Sequence, residues 1–353
     1  MAYTTIDKPS DYFNTKLYTG NGGTQSITGV GFAPNWSWIK NRTSAEGSGM
    51  FDTVRGVTKM LCSQNSDGES TTANSLTAFG SDGFSIGANN RVNQNSNNIV
   101  SWNWRGNSSG TSVSASGGVN GYNACTHYAN QDAGFSIVKY TGRNSVLNNG
   151  QDTRVTHGLG VIPKIIIIKS LDTVQNWVVF HHYNWNGCHF NLNTDAGMNC
   201  HLYVGNNNNT TSSYFNVGND NLANKNNDNF IAYVFADVKG YSKFGNYKGN
   251  GNVSGTFCYL GFAAAFIMIK RTDGAADWEM YDNKRLGFND DNPPLYANLN
   301  NAEGSNDRID ILAQGFKIRA SSGNLGASGG TYIYMAFAEN PFVTSTGVPA
   351  TAR

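Results

Sequence analysis

The chain has 353 residues, a formal net charge of +1 and 14% charged residues, with 41 glycines and 7 prolines. So small a net charge creates no long-range electrostatic field, which argues against nucleic acid as a partner. The sequence contains no run of about 18 apolar residues, so we expect no membrane insertion.

Short runs of Ile, Val, Tyr, Phe and Trp alternate along the chain with clusters of Asn, Gly and Ser. Gly and Asn tolerate positive φ and therefore favour tight turns. No stretch shows the sustained 3.6-residue apolar period of an amphipathic helix. The sequence therefore predicts an all-β fold.

The first 15 residues differ from the rest of the chain. They lack a basic segment followed by an apolar core, so no secretory signal is predicted. They also contain too few apolar residues to form a core of their own. We expect a docking segment that lies on another subunit or along the first domain.

Three segments share one pattern, namely Gly or Val, a hydrophobic residue, Pro or Ala, an apolar run and a final Lys. They are residues 31–40, 161–169 and 261–270. The middle segment contains four consecutive isoleucines, which cannot alternate between core and solvent. The pattern predicts a central strand that is buried on both faces.

Other landmarks recur in the same order around these segments. A Tyr-x-Gly motif begins at Tyr18, Tyr140 and Tyr247, an aromatic strand follows each lysine, and a further apolar strand closes each copy. Copies of roughly 100 to 130 residues have the size of domains. We predict three tandem antiparallel β-sandwich domains, at residues 16–130, 131–244 and 245–353, with a flexible Gly/Ser-rich stretch at 106–118.

Cysteine and histidine residues cluster in the middle copy. The five cysteines are odd in number and widely spaced, which favours reduced thiols. Adjacent residues of a strand point to opposite faces, so the pairs His181-His182, Cys188-His189 and Cys200-His201 are poorly arranged for zinc. No metal site and no cofactor are predicted.

Asp277 and Glu279 flank Trp278 and are the best candidates for a glycosidase carboxylate pair. Their spacing would place both on one face of a strand. The corresponding segments of the other copies lack the pair. Since repeated copies are expected to share a function, no catalytic residue and no enzymatic activity are predicted.

The tryptophans suggest a carbohydrate site because indole rings stack on sugars beside amide groups. Trp36 and Trp38, like Trp102 and Trp104, are two residues apart in a predicted strand, which indicates the core. Trp185 lies instead in a polar loop. The predicted carbohydrate-binding residues are Tyr183, Trp185, Asn186 and Asn207.

Five stretches resemble a family of virion proteins of tailed bacteriophages, common among phages of marine bacteria. They are YFNTKLYTGNG (12–22), WIKNR (38–42), DTVRG (52–56), KGYSKFG (239–245) and YIYMAFAENPFV (332–343). Members of that family are usually described as tail fibre or structural proteins. The resemblance implies concanavalin-like, jelly-roll lectin sandwiches and supplies no catalytic residue.

The residues and the resemblance together lead to one functional expectation. We expect a non-enzymatic virion structural protein, a tail fibre or tail-associated adhesin that is assembled in the host bacterial cytoplasm and contacts the host surface. Its expected partners are other phage virion proteins, copies of itself with a trimer favoured, and a host-surface glycan. The alternatives are a capsid decoration or vertex fibre protein and a polysaccharide depolymerase, the latter depending on Asp277 and Glu279.

Overall fold

The protein is described by a computed structural model that covers residues 3–146, 148, 151–184, 187–200, 210–285, 289, 292–305 and 307–350. Strands account for 43% of the chain and helices for 5%. The named strands pair in antiparallel sheets. The predicted all-β class is confirmed.

The chain divides into two compact units. The first comprises residues 1–64, 70–105 and 238–353, and the second comprises residues 65–69 and 106–237. The landmarks of the first and third predicted copies therefore lie in one unit. The division into three tandem sandwiches stays a prediction.

The first copy comprises residues 13–104. Its elements are β1 (Phe13–Thr19), β2 (Gln25–Thr28), β3 (Trp36–Asn41), β4 (Gly49–Asp52), β5 (Lys59–Met60), β6 (Ser70–Thr71), β7 (Leu76–Gly80), β8 (Gly83–Ile86), α1 (Asn90–Asn93) and β9 (Asn98–Trp104), preceded by a 3-10 turn at Pro9–Asp11. A larger sheet has the order β1-β9-β3-β4 and a smaller one the order β2-β8-β7. Both contribute to one apolar cluster, for example Ile39 and Phe51 from the larger and Phe84 from the smaller.

The third copy lies in the same unit and follows the same plan. Its strands are β20 (Ser242–Lys248), β21 (Phe257–Tyr259), β22 (Phe262–Arg271), β23 (Glu279–Asp282), β24 (Leu295–Tyr296), β25 (Ile309–Leu312), β26 (Gly315–Ile318) and β27 (Thr331–Pro341). The larger sheet has the order β20-β27-β22-β23-β24 and the smaller one the order β21-β26-β25. Ile267, Ile269 and Phe316 belong to their shared core.

The second unit contains the middle copy. Its elements are β10 (Thr111–Val113), β11 (Cys125–Asn130), β12 (Phe135–Thr141), β13 (Asp152–Thr156), β14 (Ile165–Ser170), β15 (Val178–His181), β16 (Cys188–Asn191), β17 (Asn199–Cys200), β18 (Tyr214–Gly218), α2 (Asn221–Asn224) and β19 (Asn229–Phe235), with 3-10 turns at Asn144–Val146 and His182–Asn184. The larger sheet has the order β10-β11-β12-β19-β14-β15-β16-β17, and β13 pairs with β18.

Two details differ from the sequence-based expectation. Residues 106–130, which were assigned to the first domain, lie in the second unit. The reason is that β10 pairs with β11 and β11 pairs with β12, so both strands belong to the sheet of the middle copy. Thr111–Val113, within the stretch predicted to be a flexible linker, is strand β10. Backbone pairing with β11 orders these residues despite their small, polar side chains.

The lysine-terminated strands β3, β14 and β22 are central, as predicted. Each lies between the closing strand of its copy and the next strand along the chain. In β14, Ile166 and Ile168 belong to the unit's apolar cluster. Ile165 and Ile167 alternate with them and are also fully buried, so both faces of the strand are covered.

The Tyr-x-Gly landmark has one structural role in all three copies. The hydroxyl of Tyr18, Tyr140 or Tyr247 donates a hydrogen bond to a backbone carbonyl near the closing strand, at 2.7, 2.5 and 2.9 Å; the acceptors are Val92, Ala223 and Leu325. The glycine two residues later packs against another carbonyl, where a Cβ would clash. The motif therefore anchors the strand that pairs with the closing strand in each copy.

Aromatic side chains join the first and third copies inside the first unit. The ring of Phe13 stacks on that of Phe337 at 5.3 Å, and Trp104 contacts both Phe266, at 5.8 Å, and Phe337. The Trp102 indole donates to the Asp282 carboxylate at 3.0 Å. The predicted core tryptophans are thus confirmed as buried, and they lie between the two larger sheets of this unit.

The N-terminal segment lies against the third copy. The Tyr3 hydroxyl donates to the carbonyl of Gly261 at 2.7 Å. Asp7 accepts hydrogen bonds from the backbone and hydroxyl of Ser345 at 2.6 and 2.5 Å. Described residues of the predicted docking segment therefore pack on their own chain.

Candidate functional site

The predicted carbohydrate loop is described at one of its four residues. Tyr183 is 45% exposed, and its backbone N–H donates to Nδ1 of the buried His181 at 3.2 Å. Trp185, Asn186 and Asn207 lie outside the described residues. Whether these four side chains form one site therefore stays a prediction.

The cysteine expectation is wrong for one pair. Cys188 and Cys200 form a disulfide between β16 and β17, where they are direct cross-strand partners. Their separation of 12 residues spans a turn that the sequence did not reveal as a hairpin. Cys62, Cys125 and Cys258 are buried thiols, and burial raises the pKa of Cys258 to about 12.

The described residues contain no group of three or more His, Cys, Asp and Glu side chains placed to hold a metal ion. The same part of the chain has no helix with the length and apolarity required to cross a membrane. His181 and His189 are both fully buried in the middle copy.

The carboxylates Asp277 and Glu279 do not form the predicted pair on one strand face. Strand β23 begins at Glu279, so Asp277 lies in the preceding loop, where its carboxylate accepts from Asn298 at 2.7 Å. Glu279 is fully buried. The two groups therefore differ in environment and are not presented together to a substrate.

Glu279 is held by polar side chains inside the third copy. Arg308 Nη1 and Asn324 Nδ2 both donate to Oε1 at 2.8 Å, and the Tyr281 hydroxyl donates to Oε2. Burial raises the pKa of Glu279, although Arg308, Tyr281 and Asn324 partly oppose that rise. The carboxylate is saturated with internal partners, which suits a structural role.

The three landmark lysines are also buried and bind backbone oxygens. Lys40 Nζ donates to the carbonyl of Leu299 at 2.7 Å, Lys169 Nζ to that of Ser66 at 3.1 Å, and Lys270 Nζ to that of Ala276 at 2.5 Å. Burial lowers the pKa of both Lys40 and Lys169 to about 8. These ammonium groups tie loops to the central strands.

An open depression in the first copy is the candidate site. It has a volume of about 490 Å³ and is lined by residues of three loops and the start of α1, namely Glu46, Thr72, Ala73, Asn74, Ala88, Asn89, Asn90 and Arg91. A volume of this order suits a small ligand or one or two sugar rings. Its lining is mostly amide, hydroxyl and charged groups.

Backbone hydrogen bonds fix two of these loops against each other. The N–H of Asn89 donates to the carbonyl of Asn74 at 2.9 Å, and the Asn89 side chain accepts from the N–H of Arg91 at 3.0 Å, which caps α1. The Arg91 guanidinium contacts the Cys62 sulfur. The loops therefore present their polar side chains from a rigid base.

The side chains that line the depression are suited to binding a polar ligand. Amide side chains such as those of Asn74 and Asn90 can donate to and accept from sugar hydroxyls. Among the described residues that line it, Glu46 supplies the one carboxylate, whereas glycoside hydrolysis ordinarily uses two. Asn-rich turns occur throughout this sequence, so no sequence signal distinguished these loops.

The chain matches the model of a protein family described as a domain of unknown function, DUF7483, over residues 8–341. It belongs to that family. One family match thus covers described residues of both compact units. No curated protein and no solved structure matches the chain.

Proposed function

We propose that this protein is a non-enzymatic structural protein of a bacteriophage virion, a tail fibre or tail-associated adhesin that contacts the host surface. In this proposal the chain consists of three concanavalin-like, jelly-roll β-sandwich copies. It assembles with other virion proteins and as a homo-oligomer, for which we favour a trimer. The virion assignment comes from the sequence resemblance.

The absence of enzymatic activity is proposed because the surroundings of Glu279 differ from the lining of the depression. The carboxylate best suited by sequence to catalysis is buried and bonded to Arg308, Asn324 and Tyr281. The accessible depression offers amides, hydroxyls, one carboxylate and one guanidinium among its described lining. That arrangement favours recognition over turnover.

The recurrent strand order supports the three copies. In each larger sheet the strand that contains the Tyr-x-Gly tyrosine pairs with the closing strand. The closing strand pairs with the lysine strand, and the lysine strand pairs with the strand that follows it. Rigid repeated β-structure suits a particle component. The Cys188–Cys200 disulfide fits a protein that works outside the cell, because it can form after release from a reducing cytoplasm.

The test combines location, binding and turnover. Cryo-electron microscopy of the particle that carries the protein should place it at the tail, whereas density at the head would favour a decoration or vertex fibre. The full chain should bind host cells without releasing reducing ends from their surface polysaccharide. Release of reducing ends, or absence of the protein from particles, would overturn the proposal.

A matched pair of variants tests the depression itself. Asn90→Ala removes an exposed amide from its lining, and Asn246→Ala removes an exposed amide from β20. Cell binding should weaken for the first variant and remain at the wild-type level for the second. Equal binding by both would remove the depression from the contact surface.

A further inference from the structure

The smaller sheet of the third copy exposes two neighbouring aromatic side chains. Phe257 and Tyr259 are 47% and 51% exposed, while Cys258 between them is buried in the core. Residues two apart in a strand point to the same side. Phe257 and Tyr259 therefore form one aromatic platform on the outer face of β21.

The first and middle copies have polar residues at the same positions. The strands β2, β13 and β21 can be aligned because each has one buried residue that lies opposite a phenylalanine. These pairs are Ile27 with Phe84, Val155 with Phe215 and Cys258 with Phe316. The flanking outward residues are Ser26 and Thr28 in β2 and Arg154 and Thr156 in β13. The strand pairing that the three copies share therefore does not require aromatic side chains at these outward positions.

Two further rings lie next to the platform. A Cβ built on Gly261 would lie 2.7 Å from the Tyr3 hydroxyl and 3.5 Å from the Tyr259 hydroxyl, so the two hydroxyls are close neighbours. The ring of Tyr3 meets that of Phe342 edge to face at 6.4 Å. The aromatic strip, defined as Phe257, Tyr259, Tyr3 and Phe342, is therefore continuous.

Lysine side chains flank the strip. Lys243 Nζ lies 5.3 Å from the ring centre of Tyr259, and Lys239 Nζ lies 4.7 Å from that of Tyr3. Lys317 is the cross-strand partner of Phe257. Asp310, opposite Lys317, lies 3.4 Å from the guanidinium of Arg319, so Arg319 offsets the charge of this acid.

The backbone edge beside the strip is already occupied. β21 is the last strand of its sheet. Lys243 Nζ donates to the carbonyl of Tyr259 at 2.7 Å, and the Tyr3 hydroxyl donates to that of Gly261 at 2.7 Å. These bonds occupy backbone carbonyls that an added strand would need, which favours a ligand that uses the side-chain face.

We propose that the aromatic strip binds an acidic polysaccharide, with sugar rings stacked on Phe257 and Tyr259 and carboxylates paired with Lys243 and Lys317. Aromatic faces stack on the apolar faces of sugars, and ammonium groups select for negative charge. This ligand class deepens the proposed adhesin role and rests on it. Repeated copies on a particle would multiply a weak single-site affinity.

The test measures binding of the full chain to polygalacturonate, with dextran as the neutral polymer, by isothermal titration calorimetry. Wild type should bind polygalacturonate and not dextran, and added salt should weaken that binding. Phe257→Ala/Tyr259→Ala should lose at least about tenfold in affinity, since two ring contacts are removed. Lys243→Gln/Lys317→Gln should remove most of the salt dependence.

Two controls keep the result interpretable. Val174→Ala shortens an apolar side chain that is 66% exposed and lies outside the strip, so it should bind as wild type does. Phe257→Trp keeps an aromatic ring and should retain affinity, which separates stacking from misfolding. Equal wild-type binding to both polymers, or full binding by the double alanine variant, overturns the inference. Tail location without enzymatic activity would still leave the proposed function standing.

Discussion

The first and third copies differ at one equivalent position inside their larger sheets, where the first copy has a glycine and the third has a buried glutamate. Gly49 lies opposite Ile39, and Glu279 lies opposite Ile269, so the two residues occupy equivalent places in the strand register. A Cβ at Gly49 would lie 2.8 Å from the Phe51 ring, which fills that space. The first copy is closed by an apolar ring where the third contains a carboxylate.

This difference shows that the sheet can contain a buried carboxylate when hydrogen-bond donors surround it. Tyr281 replaces the equivalent Phe51 and donates to Glu279. Arg308 and Asn324 complete the set. A buried carboxylate costs several kcal/mol unless it is paired and hydrogen-bonded. The matched positions therefore offer a direct way to measure what the partners contribute.

Gly49→Glu should have the largest effect. The new side chain would overlap the Phe51 ring and bury a carboxylate against the apolar cluster to which Phe51 belongs. We expect a loss of more than about 4 kcal/mol in unfolding free energy, or failure to fold. Urea denaturation measures the loss.

The control for that substitution is Gly117→Glu. Gly117 is exposed and would place its Cβ in open space, so the same chemical change should alter stability by less than about 0.5 kcal/mol. A Gly49→Glu protein as stable as the control would show that the matched positions do not differ in packing.

Arg308→Leu should have the next largest effect, because it leaves Glu279 buried without its cation. Loss of one partner of a buried pair costs about 3 kcal/mol. The loss should be smaller at pH 5 than at pH 8, since Glu279 can then take up a proton. Adding Glu279→Leu should restore much of the stability, and a double variant no better than Arg308→Leu alone would refute the pairing.

The sequence predicted the parts of this framework that depend on local pattern. The run of isoleucines and the lysine that follows it correctly indicated the central strand β14, because four consecutive apolar residues require burial on both faces. The Tyr-x-Gly motif was found as a landmark. Its role was not predicted, since the carbonyl that Tyr18 binds is 74 residues away.

The parts that were missed depend on contacts between distant residues. Arg308 is 29 residues from Glu279 and Asn324 is 45, so no local pattern connects the cluster. The i, i+2 spacing of Asp277 and Glu279 indicated a shared face, but β23 starts too late to include Asp277. The depression was missed because the Asn-rich loops that form it have the composition of ordinary turns.

Glu279→Gln should change the pH dependence of stability. The pKa of Glu279 is raised by burial, so the folded state holds its proton more tightly than the unfolded state does. This contribution is fully present below the ordinary glutamate pKa and is lost as pH rises through the folded value. The free energy of unfolding of wild type, relative to the glutamine variant, should therefore fall from pH 4 to pH 8.

Urea titrations of both proteins at pH 4, 6 and 8 measure that difference. Asp277→Asn is the matched control, because its carboxylate is half-buried and lies outside β23. A constant difference between wild type and Glu279→Gln across this range would mean that the fold does not favour protonated Glu279.

Tyr281→Phe and Phe51→Tyr, made separately, should have the smallest effects on stability, and only the effect of Tyr281→Phe should depend on the presence of Glu279. Tyr281→Phe removes one hydrogen bond, while Arg308 and Asn324 still bind Glu279, so the cost should be about 1 kcal/mol. Phe51→Tyr adds a hydroxyl beside Gly49, which has no side chain to accept from it, and should cost a similar amount for the opposite reason. Denaturation of each protein with and without Glu279→Gln separates the two causes. The Tyr281→Phe cost should shrink when the carboxylate is replaced, because its charge strengthens the bond, whereas the Phe51→Tyr cost should stay the same. Identical responses in the two copies would show that the hydroxyl at this position acts without the carboxylate, and the contrast between the copies would then lie in packing alone.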